Sequence, residues 1–86
     1  MYEIVLTPIA AKFLNTASEP LKRRFARCLR QIGQTPKRHP NIKRLTGRFA
    51  GDYRYRLADY RIIYEIHETR KLVVVLVIAH RRHAYE

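Results

Sequence analysis

The chain ends His80-Arg81-Arg82-His83-Ala84-Tyr85-Glu86, so two guanidiniums, two imidazoles and a phenol fall within six consecutive positions. Three more arginines, Arg54, Arg56 and Arg61, cluster some twenty residues upstream. A guanidinium is a permanent cation with a planar fork of donors that matches a phosphate. An imidazole or a phenol can give or take a proton. These types together suit a reaction in which negative charge grows on a phosphate. Cleavage of RNA through its own 2′-OH is such a reaction. It needs a proton removed from the hydroxyl, charge relief on the phosphate, and a proton for the departing oxygen. Arginines serve the second need by preorganised electrostatics. His83 or Tyr85 serves as acid or base, or Tyr85 stacks on a base instead. No carboxylate pair, Ser-His-Asp arrangement or phosphate-cradling glycine loop is present, and His80 and His83 lack the thiol or carboxylate companions of a metal site. Neither metal nor cofactor is expected.

Elements that would position these groups follow from spacing. Tyr2 to Leu6 alternates as a short strand. Thr7-Pro8 opens a helix as N-cap and first helical residue, with Ile9, Phe13 and Ala17 as its apolar stripe, widened by Ala10 and Leu14. Ser18-Glu19-Pro20 opens a second helix in the same way. Its stripe is Leu21, Phe25, Cys28, Leu29 and Ile32; its other face carries Lys22, Arg23, Arg24, Arg27 and Arg30, and Gly33 is the expected stop. Cys28 belongs to that apolar stripe and is expected in the core. Strands are predicted at Tyr53 to Leu57, Tyr60 to Ile66 and Leu72 to Ala79, with a further extended piece near Lys43 to Leu45. Helices grouped ahead of a strand meander predict an α+β fold: an N-terminal strand and a two-helix hairpin packed on one face of a twisted antiparallel sheet.

Parity then sorts the meander. Tyr53, Tyr55 and Leu57 share one face of their strand, and Arg54 and Arg56 share the other. If the turn is the two residues Ala58-Asp59, Leu57 lies opposite Tyr60 and Arg56 opposite Arg61. Ala-Asp is not a preferred hairpin pair, and a symmetric four-residue loop also leaves Arg56 and Arg61 on one face. The tyrosine face should meet the helices, leaving Arg54, Arg56 and Arg61 on the other side. With His67 to Lys71 as the next loop, Val74, Leu76 and Ile78 are expected in the core. Val73, Val75, Val77 and Ala79 would line the arginine face, and Arg81 would join them. Like charges directly across a ladder cost about 0.2–1 kcal/mol per pair, which is tolerable where an anion is to be bound.

Composition bounds the reading further. The 86 residues allow one domain, expected to span residues 1–86, with a small core. Eighteen Lys and Arg against seven Asp and Glu give a net charge of +11, and thirteen of the eighteen are Arg. A polyanionic partner is expected, with RNA ahead of DNA. At 47% hydrophobic residues and three Gly, the chain is neither disordered nor collagen-like. Its longest apolar run, Leu72 to Ala79, is far short of the roughly 20 residues of a membrane helix. A single cysteine excludes an internal disulfide. With no leader pattern at Met1-Tyr2-Glu3-Ile4, a cytoplasmic protein without a membrane partner is expected.

The sequence resembles the RelE/ParE superfamily of bacterial toxins, and its RelE branch in particular. The resemblance rests on Leu45-Thr46-Gly47, Gly51-Asp52-Tyr53-Arg54-Tyr55-Arg56, Tyr60-Arg61-Ile62-Ile63-Tyr64, and Val77-Ile78-Ala79-His80-Arg81-Arg82 followed by Tyr85. It implies a RelE-like fold and a toxin of a type II toxin–antitoxin system that cuts mRNA in the ribosomal A site without metal. It implies that Arg54 and Arg56 stand for the family's basic pair, Arg61 and Arg81 for its phosphate-contacting arginines, and Tyr85 for its terminal tyrosine. His83 matches a histidine placed just before the terminal tyrosine in YoeB-like relatives, so the proton-transfer role stays open between His83 and Tyr85. The family's pair is often lysine; arginines there suit charge stabilisation better than proton transfer. Arg23, Arg24, Arg27, Arg30, Lys43, Arg44, Arg48 and Arg82 are then expected to hold RNA or ribosome. A cognate acidic antitoxin, ribosome and mRNA are the implied partners, with operator DNA reached through the antitoxin. A non-catalytic, ParE-like inhibitor of DNA gyrase is the alternative.

Overall fold

The computed structural model describes residues 1–80. Arg81, Arg82, His83 and Tyr85 lie outside the described residues. The chain runs β1 (Glu3–Leu6), α1 (Pro8–Thr16), α2 (Glu19–Gln34), β2 (Ile42–Arg44), a short 3₁₀ turn (Gly47–Phe49), β3 (Tyr53–Leu57), β4 (Tyr60–His67) and β5 (Leu72–His80). Both helix starts follow their caps. Thr7 Oγ1 accepts from the Ala10 N–H at 3.3 Å and Ser18 Oγ from the Leu21 N–H at 3.4 Å, with proline in the first turn of each helix.

The five strands form one sheet in the order β1-β5-β4-β3-β2, and the helices cover one of its faces, giving the expected α+β fold. Strands β2 to β5 pair antiparallel as expected. The N-terminal strand differs: β1 pairs parallel to β5, so the sheet is mixed. A contact between the two ends of the sequence leaves no local signal that period-2 patterning can read.

The core lies between helices and sheet. Ala10 of α1, Phe25, Cys28 and Ile32 of α2, and Tyr55, Ile62, Tyr64, Val73, Val75 and Ile78 of the sheet form one buried cluster. Phe13, Phe25 and Tyr60 meet edge to face with centroids 5.5–5.9 Å apart, the geometry aromatic quadrupoles prefer. Tyr64 is wholly buried and donates its hydroxyl to the Pro36 carbonyl at 2.7 Å, so its one polar atom is satisfied. Ile9 departs from expectation. It is 67% exposed, because α1 turns Ala10, Phe13 and Leu14 inward instead. Gly33 does not end α2, which continues to Gln34. It sits buried within the helix, where its carbonyl accepts from the Tyr2 N–H at 2.8 Å and an added Cβ would stand 3.2 Å from the Tyr2 carbonyl oxygen. Its role is close approach of β1 to the helix.

The β3–β4 hairpin has the expected register, with Leu57 opposite Tyr60 and Arg56 opposite Arg61 across a two-residue turn. Ala58 takes φ 52 there. The β4–β5 hairpin corrects the sequence reading. His67 pairs with Leu72 and Ile66 with Val73, so the loop is one residue shorter than expected, and a bulge between the Ile63–Val77 and Tyr64–Val75 pairs then shifts register. Val73 and Val75 therefore enter the core in place of Val74 and Leu76, while Val77, Ile78 and Ala79 keep their expected sides. Thr7 fixes this irregularity: its N–H donates to the Val75 carbonyl at 3.1 Å and its Oγ1 to the Leu76 carbonyl at 2.7 Å. The cap of α1 thus satisfies the backbone that the bulge leaves out of the ladder. Among the described residues no helix is long and apolar enough to cross a membrane.

Candidate phosphate-binding cleft

The open face of the sheet gathers cations from three strands. Lys43 on β2 lies directly opposite Arg54 on β3, and Arg56 lies opposite Arg61 on β4. Cross-strand partners point to the same side and alternate residues share a side, so all four side chains project away from the helices. Between them opens a cleft of about 570 Å³ lined by Lys43, Arg44, Leu45, Thr46, Arg54 and Arg61. Three of the six lining residues are arginine, one is lysine, and none is acidic.

The backbone around this cleft is held at several points. The Leu45 N–H donates to the Asp52 carbonyl at 2.8 Å and the Arg56 N–H to the Asn41 carbonyl at 2.9 Å, bracketing Lys43 and Arg54 on both sides. The return from β2 to β3 is made by the 3₁₀ turn, with Gly47 at φ 69 and Gly51 at φ 92, a region that side chains with a Cβ avoid.

The three arginines differ in environment. Arg54 is half-buried, and its Nε is sealed from solvent with no hydrogen-bond partner among the described residues. Its cross-strand neighbour Ile63 is fully buried although it sits on the open face. Arg61 is oriented by the hairpin turn, donating from one terminal nitrogen to the Tyr60 carbonyl at 3.1 Å and the Ala58 carbonyl at 3.4 Å. Arg56 is exposed.

Negative charge is held at the far end of the same face. Glu65 lies four residues along β4 from Arg61, roughly 13 Å at strand rise, and its Oε1 is 2.9 Å from His67 Nε2. Burial, then the Glu65 carboxylate, pushes the Asp52 carboxyl above its ordinary range. A third charged group ties the loops together: Glu68 pairs with Lys37 and accepts from the Tyr2 hydroxyl. That pairing holds the Glu68 carboxyl low and the Lys37 ammonium high.

Arg54, Arg56 and Arg61 thus meet on one face, as parity predicts. The basic stripe of α2 does not join them: Arg23, Arg24, Arg27 and Arg30 are exposed on a helix packed against the other face. Arg48 lies on the 3₁₀ turn, outside the cleft lining. Sequence reasoning set Lys43 and Arg44 apart as docking residues, whereas they line the same cleft as Arg54 and Arg61. The run Ile42-Lys43-Arg44-Leu45 does not alternate, and a strand of three residues is too short for its pattern to fix a face. Among the described residues no cluster of His, Cys, Asp and Glu could hold a metal.

Residues 4–85 match the family described as ParE toxin of type II toxin-antitoxin system, parDE. The chain belongs to that family, and so to the RelE/ParE toxin superfamily. No curated protein matches its sequence. Among solved structures, the archaeal RelE–RelB complex from Pyrococcus horikoshii contains a similar chain, at TM-score 0.80 and 26% identity, covering 96% of this chain and 98% of that one. The isolated RelE toxin of E. coli is similar at TM-score 0.77 and 16% identity, covering 99% and 89%. The YoeB/ParE toxin from Agrobacterium tumefaciens is similar at TM-score 0.78 and 18% identity, covering 91% and 96%. These last two likenesses, under 25% identical, concern the fold alone.

Proposed function

We propose that this toxin is a metal-independent endoribonuclease that cuts mRNA in the ribosomal A site and so stops translation. The observation that carries the reading is the cleft on the open side of the sheet, lined by Lys43, Arg44, Arg54 and Arg61 with no carboxylate among its described lining residues. In this reading the 2′ oxygen attacks the adjacent phosphorus and the bond to the 5′ oxygen breaks. Arg54 and Arg61 meet the charge that develops on the phosphate oxygens, helped by Arg56 and, as the family resemblance implies, by Arg81. His83 or Tyr85 exchanges the protons. The ribosome supplies what a chain of 86 residues does not, an mRNA held in near-attack geometry, worth several kcal/mol. Arg23, Arg24, Arg27 and Arg30 on α2, with Lys43, Arg44, Arg48 and Arg82, hold rRNA and mRNA phosphates.

An acidic antitoxin is the proposed cognate partner. Complexes of this kind have been solved for similar chains, RelE–RelB from Pyrococcus horikoshii and YoeB–YefM from Staphylococcus aureus. A net charge of +11 favours an acidic wrapping segment. Operator DNA would be reached through that partner, and the ribosomal target sets the place of action in the cytoplasm.

The matched family carries the ParE name, which favours a second reading, inhibition of DNA gyrase by protein contact. One experiment separates them. Purified toxin is given mRNA with and without ribosomes and the new 5′ ends are mapped, while a parallel reaction measures gyrase supercoiling. Codon-phased ends on ribosomes only, with gyrase unaffected, is the expected result. Gyrase inhibition without new ends would replace the first reading by the second. Rapid codon-phased cutting of naked mRNA would remove the ribosome from the mechanism.

A further inference from the structure

Among the described residues, five side chains in and beside the cleft could touch a phosphate: Lys43, Arg44, Arg54, Arg56 and Arg61. Four of them are guanidiniums, which keep their protons under any physiological condition. Only the Lys43 ammonium combines positive charge with a proton it can release. The Thr46 hydroxyl at the cleft wall is far too weak an acid to serve. Lys43 is also well placed to be more than a docking charge. It stands directly across the ladder from Arg54, on the face Arg54 shares with Arg61. Its strand is pinned by the Ile42 N–H to the His39 carbonyl at 2.9 Å, and by the bonds from Leu45 and Arg56 on either side. Among the described residues its ammonium has no ion-pair partner, although Lys22 and Lys37 each have one. Arg54 is half-buried and Lys43 exposed, so the two cations stand on neighbouring strands of one cleft wall with the ammonium open to a bound phosphate.

We infer that Lys43 is the general acid of the cleavage, which narrows the part of His83 or Tyr85 to that of base; the role rests on the RNA-cleaving reading above. The 2′ oxygen forms its bond to phosphorus as its proton passes to water or to a base. The bond from phosphorus to the 5′ oxygen breaks, and its electron pair stays on that oxygen. Lys43 transfers one proton from Nζ to it, giving a 5′-hydroxyl end, a 2′,3′-cyclic phosphate and a neutral amine that regains its proton from solvent. No oxidant, metal or further reactant is required.

The test uses Lys43→Arg, which keeps the charge and removes the releasable proton. Single-turnover cleavage is measured at saturating toxin on ribosome-bound mRNA. Two substrates are compared, one all-oxygen and one with sulfur replacing the 5′ oxygen at the cut, because a thiolate leaves without a proton. On the all-oxygen mRNA Lys43→Arg should be about 10²-fold slower or more, the usual contribution of a positioned acid. On the sulfur-bridged mRNA it should match the wild type. Equal rates on the all-oxygen mRNA would reduce Lys43 to a docking charge and overturn the inference. An equal slowing on both substrates would make it a positioning residue and overturn it too. A wild-type chain that cuts neither substrate on ribosomes, yet inhibits gyrase, would overturn the RNA-cleaving reading and this inference with it.

Discussion

On the helix side of β3 and β4, Tyr55, Ile62 and Tyr64 are buried, and the Tyr64 hydroxyl is spent on a carbonyl. One residue away on the same strands, Arg54, Arg56 and Arg61 stand on the open side with Lys43. Identical backbone thus carries two surfaces under opposite rules. The helix side fills its space with apolar volume and, among the described residues, leaves no buried side-chain nitrogen or oxygen unpaired. The open side concentrates like charge, leaves the Arg54 Nε unmatched and aims Arg61 by its bonds to the turn. Strand alternation keeps the two apart, so the proposed chemistry of the open side can be changed without touching the core.

The largest expected effect lies on the helix side. Phe25→Ala or Ile62→Ala should destabilise the fold by about 2–5 kcal/mol in urea unfolding, since each leaves a cavity among fully buried neighbours. Arg56→Ala on the open side should stay within about 1 kcal/mol, and relief of the Arg56–Arg61 repulsion works in its favour. If the two kinds of substitution cost the same, the faces are not separable. Tyr64→Phe sharpens the comparison on the helix side. It strands a buried carbonyl at Pro36 and should cost about 1–3 kcal/mol with the ring packing intact.

Smaller effects lie outside the two faces. Arg23→Ala and Arg27→Ala on α2 should weaken ribosome binding modestly. Each should reduce the slope of log affinity against log salt by roughly 0.7–0.9, one phosphate contact, without changing the single-turnover rate. The Glu68 pair gives a pH signature. Its folded pKa is lowered by Lys37 and Tyr2, so its contribution to stability is full above the ordinary carboxylate pKa and is lost as pH falls through the lowered value. Melting temperature followed from neutral to acid pH should fall in that window, and Glu68→Gln should flatten the fall. Asp52 has the opposite sign. Its folded pKa is raised by burial and by Glu65, so the charged carboxylate costs stability at neutral pH, and Asp52→Asn should raise the melting temperature there and lose that gain at acid pH.

How far this was legible depends on the residues. The β3–β4 hairpin reads straight from the sequence because Tyr-Arg-Tyr-Arg-Leu alternates strictly and only Ala58 and Asp59 are free to turn. The helix caps read equally well from Thr7-Pro8 and Ser18-Glu19-Pro20. Strand β5 does not, because Leu72 to Ala79 is apolar at every position and period 2 then assigns no face. A bulge held by Thr7, about seventy residues away, decides it. Long range also hides the parallel β1–β5 pairing and the placement of Gly33 under Tyr2. Of the candidate site, the arginine trio was readable by parity, but the union of Lys43 and Arg44 with it depends on how β2 docks on β3.

The double variant Arg54→Ala/Arg61→Ala tests the proposed role of the open face most directly, with cleavage of ribosome-bound mRNA and thermal unfolding measured on the same preparation. Removing one preorganised donor typically costs about 10²–10³-fold in rate, so the pair should lose at least that much at saturating toxin. The melting temperature should remain within a few degrees of wild type, because the helix-side core is untouched. Wild-type cleavage by the double variant would contradict the assignment of chemistry to the open face. Loss of folding together with loss of cleavage would contradict the separation of the two faces.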